Sequence, residues 1–164
     1  MRGDDVRDVV PNADRPPAPR RKNMAQLLLQ TRERMMQRFR PVLSRFGLTE
    51  QQWRVIRILT DVETMEPRQL SRQATILGPS LVGVLDRMVR SGLVEKRRHP
   101  SDQRRLNVSL TTGGRRLYAQ VWPLMEAEYQ EMAEQVGDEE MRSFLEALER
   151  FNARLGPAAG EEPG

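Results

Sequence analysis

The sequence predicts a mainly α-helical protein carrying one small β-hairpin, and three observations predict it. Apolar residues recur at three- and four-residue steps over most of residues 24–155, as one buried stripe per helix requires. Helix start and stop chemistry punctuates the same region at Thr49-Glu50-Gln51-Gln52, Pro67, Gly78-Pro79, Gly92, Thr111-Thr112 and Gly137. One stretch alternates with the period of two that a half-buried strand needs: Leu106, Val108 and Leu110 against Arg105, Asn107 and Ser109.

Composition narrows the class. A chain of 164 residues suits one domain with a real core, and 38% hydrophobic against 30% charged residues suits thin amphipathic layers that finish their burial in an oligomer. The absence of cysteine excludes disulfides and thiolate metal sites. No apolar run approaches the roughly 20 residues of a membrane span, and no signal-type apolar core lies near Met1. A cytoplasmic location and no membrane partner are therefore expected. With one histidine, no phosphate-binding glycine loop and no acid pair beside a base, the chain is not expected to be an enzyme or to carry a cofactor or metal.

The net charge of +4 conceals a polar arrangement: residues 66–116 hold eleven Arg and Lys against four acids, whereas residues 117–164 hold three against eleven. A basic block followed by an acidic third is a directed electrostatic surface, and phosphate is the natural partner of the basic part.

Residues 1–23, with Pro11, Pro16, Pro17 and Pro19 and no apolar period, read as a disordered tail, as do residues 156–164. From Met24 to about residue 46, Leu28, Thr31, Met35, Phe39, Val42 and Phe46 share a helix face; Pro41 is expected to bend or end that helix near Arg40. The Thr49–Gln52 capping box opens a helix over about 49–61 that turns Trp53, Ile56 and Leu59 inward. Residues 63–66 read as a loop, Pro67–Ala74 as a short helix burying Leu70 and Ala74, and Thr75-Ile76-Leu77 as a turn.

The next helix takes Gly78 as N-cap and Pro79 as first residue, and stops at Ser91-Gly92 with Gly92 left-handed. At about 100° per residue, Val82, Leu85 and Val89 point inward, flanked by Leu81 and Met88, and Ser80, Gly83, Val84, Arg87 and Ser91 point outward. That outward stripe is small and weakly polar, with one arginine and no acid. It suits entry into a DNA major groove better than it suits an ordinary solvated face.

Leu93-Val94 opens the first strand, and His99–Arg104 forms the hairpin tip. Asp102 and Arg104 lie two residues apart, so the carboxylate is expected to hold the guanidinium out toward a minor groove; the plainer alternative is a surface ion pair of little energetic value. A helix-turn-helix followed at once by an arginine-loaded hairpin is the plan of a winged helix-turn-helix DNA-binding module, here over residues 49–110. Its candidate DNA contacts are Pro79, Ser80, Gly83, Val84, Arg87, Arg97, Asp102, Arg104 and Arg105. A rival reading is an architectural or nonspecific nucleic-acid binder using the same basic block.

After Thr111-Thr112 a long helix places Leu117, Val121, Met125, Tyr129, Met132 and Val136 in register, with a kink expected at Pro123. Beyond Gly137, Met141, Phe144, Leu145, Leu148, Phe151 and Leu155 form a near-heptad stripe. Residues 24–46 and 112–155 are thus expected to form an N- and C-terminal helical dimerisation layer.

This order of elements resembles the MarR family of winged-helix regulators over about residues 24–155. The resemblance is carried by Leu70-x3-Ala74, Pro79-Ser80, Leu85-x2-Met88, Ser91-Gly92-Leu93-Val94, Asp102-Gln103-Arg104-Arg105 and Leu110-Thr111-x-Gly113-Gly114. The stretches LLLQTRERMMQRFRP (27–41), LTEQQWRVIRIL (48–59) and ILGPSLVGVLDRM (76–88) look like the branch that represses homoprotocatechuate catabolic operons. The resemblance implies a homodimeric repressor whose two winged modules read a pseudo-palindromic double-stranded operator, released by a small aromatic or heteroaromatic carboxylic acid. The effector contacts it implies are Arg34 or Arg38 for the carboxylate, Phe39 and Trp53 for stacking, Gln51 or Gln52 for a ring hydroxyl, and His99. Trp53 and Phe39 read equally well as core residues.

Overall fold

The computed structural model describes residues 23–99 and 102–156, with the side chains of His99 and Gln103 excepted. The expected tails and the centre of the hairpin tip lie outside that set, apart from Asn23 and Gly156. The element order is α1 (Met24–Arg45), α2 (Glu50–Thr60), α3 (Pro67–Ala74), α4 (Gly78–Arg90), β1 (Val94–His99), β2 (Asp102–Leu110), α5 (Thr112–Val136) and α6 (Asp138–Leu155). Contacts cluster in two units, Met1–Met36 and Gln37–Gly164.

The first unit contributes the opening turns of α1. The Asn23 Oδ1 accepts the Gln26 N–H at 3.1 Å, closing one of the donors a helix start leaves open. Met24, Leu27 and Leu29 are exposed.

The second unit holds the rest. Here α1 runs through Pro41 to Arg45, so of the two expected effects of the proline, a bend or an end near Arg40, the helix does not end there. Phe39, Val42 and Leu43 are buried on both sides of the proline. Their burial offsets the one backbone bond that proline removes. The capping box forms as expected: Gln52 N–H donates to Thr49 Oγ1 at 3.2 Å, and Thr49 N–H donates to Gln52 Oε1 at 2.9 Å. Val55, Ile56 and Leu59 of α2 are fully buried, with Leu70 of α3 and Leu81, Val84, Leu85 and Met88 of α4 beside them in the core.

The strands pair antiparallel from Val94↔Leu110 to His99↔Asp102, with an irregularity between Arg98 and His99. Residues 63–66 are more than a loop. Met65 exchanges both backbone hydrogen bonds with Val108, at 2.9 and 2.8 Å, and adds a short third edge to the ribbon. That edge ties the α2–α3 connection to the base of the hairpin.

Thr111 caps α5: its Oγ1 accepts the Gly114 N–H at 3.0 Å and donates to the Gly92 carbonyl at 2.6 Å. Gly114 is buried, and a Cβ there would run into the Leu93 carbonyl oxygen. The end of α4, the hairpin base and the start of α5 therefore meet at one tight junction. α5 contains Pro123 without ending there, with Val121 and Met125 buried on either side. Gly137, at φ 102°, separates α5 from α6, which has no buried residue.

Candidate functional site

α3 and α4 form the helix-turn-helix. α4 starts one residue early, with Leu77 as N-cap and Pro79 in the first turn, and Gly92 is left-handed at φ 70° as expected. Its rotation about its own axis differs from the expected one. Val84 is fully buried, while Val82 is 56% and Val89 41% exposed. Val84 therefore faces the core and is not available as a DNA contact. The six apolar residues of α4 span an arc of about 160° at 100° per residue, wider than the stripe that is buried, so periodicity alone leaves open which edge of the arc faces inward. The core beneath α4 selects Leu81, Val84, Leu85 and Met88. Pro79, Ser80 and Arg87 are exposed and Gly83 is half-buried. A Cβ on Gly83 would lie 3.6 Å from Arg87 Nη1, so the guanidinium lies along the open side of Gly83. Ser91 is the exposed C-cap of α4, and its hydroxyl donates to the Arg87 and Met88 carbonyls at 3.1 and 3.2 Å, closing the helix end.

The outward face also carries an acid that the expected stripe omitted. Asp86 accepts Lys96 Nζ at 2.6 Å, joining α4 to β1. The lysine's hydrogen bond and charge hold the Asp86 carboxyl below the usual carboxylate range. A shallow depression lined by Gly83, Asp86, Arg87, Val89, Arg90 and Lys96 runs between helix and ribbon.

In the ribbon, Arg97 Nη2 pairs with Glu95 at 2.9 Å, and Arg105 is bound by Glu66 at the N-terminus of α3. Arg105 thus braces the hairpin against the helix-turn-helix. The Asp102 carboxylate accepts the Arg104 backbone N–H at 3.0 Å instead of holding its guanidinium. A two-residue spacing favours this local turn bond, because Asp side chains reach their own backbone two residues on. Arg104 is exposed, and among the described residues its guanidinium has no ion-pair partner. The side chain of His99 lies outside the described residues.

A second constellation lies between α2 and α5. Trp53 stacks on Tyr118 at 5.8 Å between ring centroids, and Tyr118 stacks on Trp122 at 5.9 Å. Arg57 crosses the end of the stack, its guanidinium carbon 4.1 Å from the Trp122 ring centroid and its Nη1 donating to the Tyr118 hydroxyl at 3.3 Å. Phe39 meets Tyr129 at 4.7 Å. Burial raises the Tyr129 pKa above that of an ordinary tyrosine; Arg57 opposes the shift and Glu126 adds to it.

Of the implied effector contacts, the structure brings Trp53 and Phe39 to this side of the core, both buried, with Gln51 half-buried. Gln52 is committed to the capping box. Arg38 is already held by acids: it lies 3.9 Å from Glu128 and 3.7 Å from Glu131, and donates to Gln135 Oε1 at 2.5 Å. Its charge is answered within the fold, so it is a poor carboxylate receptor. Arg34 belongs to the Met1–Met36 unit and is exposed there. Arg57, Tyr118, Trp122 and Tyr129 were not expected. A signal existed: Trp53/Arg57 and Tyr118/Trp122 are both spaced i, i+4, which puts each pair on one helix face.

A helix-turn-helix whose second helix stands outward beside an arginine-bearing antiparallel ribbon defines a winged helix-turn-helix DNA-binding protein. Residues 48–106 match the MarR family. The Homoprotocatechuate degradative operon repressor of Escherichia coli is 44% identical over 138 residues, which are 84% of this chain and 93% of that protein. The crystal structure of transcriptional regulator PA4135 superposes with a TM-score of 0.77 at 46% identity, covering 80% of this chain and 96% of its own. NadR in complex with 4-hydroxyphenylacetate gives 0.75 at 35% identity, covering 84% and 97%. The chain belongs to the MarR family, whose members are ligand-responsive, DNA-binding transcriptional regulators. No helix of the described residues is long and apolar enough to cross a membrane.

Proposed function

We propose that the chain is a homodimeric repressor of an aromatic-acid catabolic operon, released from a pseudo-palindromic operator when a small aromatic carboxylate binds. It acts by binding alone, catalysing no reaction, in the cytoplasm where the operator lies. Residues 49–110 form its DNA-reading module; residues 24–46 and 112–155 supply the dimer layer. Pro79, Ser80, Gly83 and Arg87 approach base edges and phosphates in the major groove. Arg104 enters the minor groove, on a tip ordered by Asp102, and Arg97 contributes charge to the backbone. Arg105 acts indirectly, through Glu66.

The observation that carries the effector half of this reading is Arg57. Among the described residues it is met by aromatic rings and a phenol hydroxyl, not by a carboxylate. A guanidinium beside stacked rings offers an aromatic acid both a charge partner and a stacking wall. Trp53 is part of that wall through its stacking on Tyr118, and Phe39 packs on Tyr129 of the same helix.

Titration with 4-hydroxyphenylacetate, followed by tryptophan fluorescence, tests the reading because both tryptophans of the chain lie in the stack. The expected result is quenching or enhancement that saturates, with operator release over the same concentration range. Arg57→Met should bind the acid at least about tenfold more weakly, the loss of one charged hydrogen bond, while retaining operator affinity. An Arg57→Met protein that still releases DNA at wild-type acid concentrations would overturn the assignment.

A further inference from the structure

The turn between α3 and α4 sets the direction in which α4 leaves the core, so whatever holds the turn aims the helix. The turn is three residues long, Thr75, Ile76 and Leu77. Thr75 caps α3 in the left-handed region at φ 51°, a conformation that a β-branched residue adopts only when its surroundings enforce it. Some of the enforcement is local: Ile76 N–H donates to the Ser71 carbonyl at 3.0 Å, and the Ser71 hydroxyl donates to the Ile76 carbonyl at 2.6 Å.

The remainder comes from α2. Arg54 Nη1 donates to the Ala74 carbonyl at 2.7 Å and to the Thr75 carbonyl at 3.3 Å. Ala74 ends α3, so its carbonyl is one of the last four that a helix leaves without an internal partner. A cation there also meets the negative end of the helix dipole. Arg54 is delivered from an immobile base, because its neighbours Val55 and Ile56 are fully buried. Its guanidinium is therefore a strut from the core to the turn. It sits one residue from Trp53 and three from Arg57, on the same helix.

We propose that Arg54 is a positioning residue for base reading: it holds the Ala74–Thr75 turn so that α4 presents Ser80, Gly83 and Arg87 at one fixed angle, and it makes no DNA contact itself. This rests on the base-reading role of α4 proposed above. A strut of this kind matters for operator sequence and not for phosphate attraction. Nonspecific binding depends on charge in the ribbon and tolerates a loosely aimed helix, whereas base edges do not.

The test uses the full chain and compares operator with an unrelated duplex of the same length and salt. Arg54→Met should lose operator affinity by about tenfold or more, the discrimination of roughly one good base contact. Its affinity for unrelated DNA should stay within about twofold, since no phosphate contact is removed. Arg54→Lys, which keeps a donor and the charge, should recover part of the ratio. If Arg54→Met does not fold, Arg54→Gln, with one amide donor, is measured in its place. An unchanged operator affinity, or an equal fall for operator and unrelated DNA, overturns the inference, because a merely structural defect lowers both alike. Arg87→Ala separates this from the reading beneath it. Loss of operator affinity in Arg87→Ala but not in Arg54→Met overturns the strut alone; no loss in Arg87→Ala overturns the role of α4 itself.

Discussion

Gly114 lets the first turn of α5 lie against the Leu93 carbonyl, and the junction leaves no room for a methyl group. Gly114→Ala should cost about 1–3 kcal/mol through the overpacking it forces, read as a lower urea midpoint with an unchanged slope. Gly83 is the contrasting case: its Cβ would touch only the end of the Arg87 side chain. Gly83→Ala should leave stability within about 0.5 kcal/mol of the original or raise it, since alanine is the better helix former, so a loss of operator binding there would report on the groove and not on folding. Asp86 belongs to the same face. Its folded pKa is depressed by Lys96, so the stabilisation from this pair is present above the carboxyl's unfolded pKa and fades as pH falls through the lower folded value. Carboxyl NMR should find Asp86 titrating below the ordinary aspartate range, and Lys96→Met should move it back up. An Asp86 pKa that ignores Lys96→Met would show that the contact is not populated in solution.

α4 and the ribbon divide the work of the module. The ribbon holds more charge than α4, yet much of that charge is internally spent: Lys96 on Asp86, Arg97 on Glu95 and Arg105 on Glu66. Arg104 stands apart, exposed and, among the described residues, held through its backbone N–H alone. Arg104→Ala should therefore weaken operator and unrelated DNA together and lower the slope of log affinity against log salt by about one, as loss of one phosphate-region contact does. Arg87→Ala should weaken operator binding more than unrelated binding. Filter binding or anisotropy over a salt series measures both, and identical salt slopes for Arg104→Ala and the unmodified chain would remove Arg104 from the interface. Element limits were legible in the sequence because caps are local chemistry. Thr49 with Gln52, Pro67 and Thr111 each marked a helix start without knowledge of any distant residue. Pro41 does not end α1, for the opposite reason: its local penalty is outweighed by the burial of Phe39, Val42 and Leu43, which no local rule sees.

α6 buries none of its residues, leaving Phe144 40%, Leu145 51% and Leu155 65% exposed, and on α5 Val136 is 56% exposed. A contiguous apolar helix face of this kind is covered in solution, and a second copy is the cover that the dimer proposal names. Sedimentation equilibrium at micromolar concentration should give twice 19.0 kDa. A Phe144→Asp, Phe151→Asp double variant should shift the chain toward monomer and take operator affinity with it, since two half-sites are then no longer held at one spacing. A stable wild-type monomer would remove the dimer layer from the account.

Helix limits, the single ribbon, the basic middle of the chain and the winged plan follow from residues within a few positions of one another, and all are readable in the linear order. The azimuth of α4, the partners of Arg38 and Asp102, and the meeting of Arg57 with Trp122 are not. The arc of six apolar residues on α4 is wider than the stripe that is buried, and the packed core chose the edge that swallows Val84. Arg38 and Arg57 are both arginines on amphipathic helices, alike in the sequence. Folding sets Glu128 and Glu131 of α5 beside the first and Tyr118 and Trp122 beside the second. Which arginine is answered by acid and which by rings depends on how α1 and α2 each cross α5, and that is a property of side-chain volume in three dimensions, not of spacing along the chain.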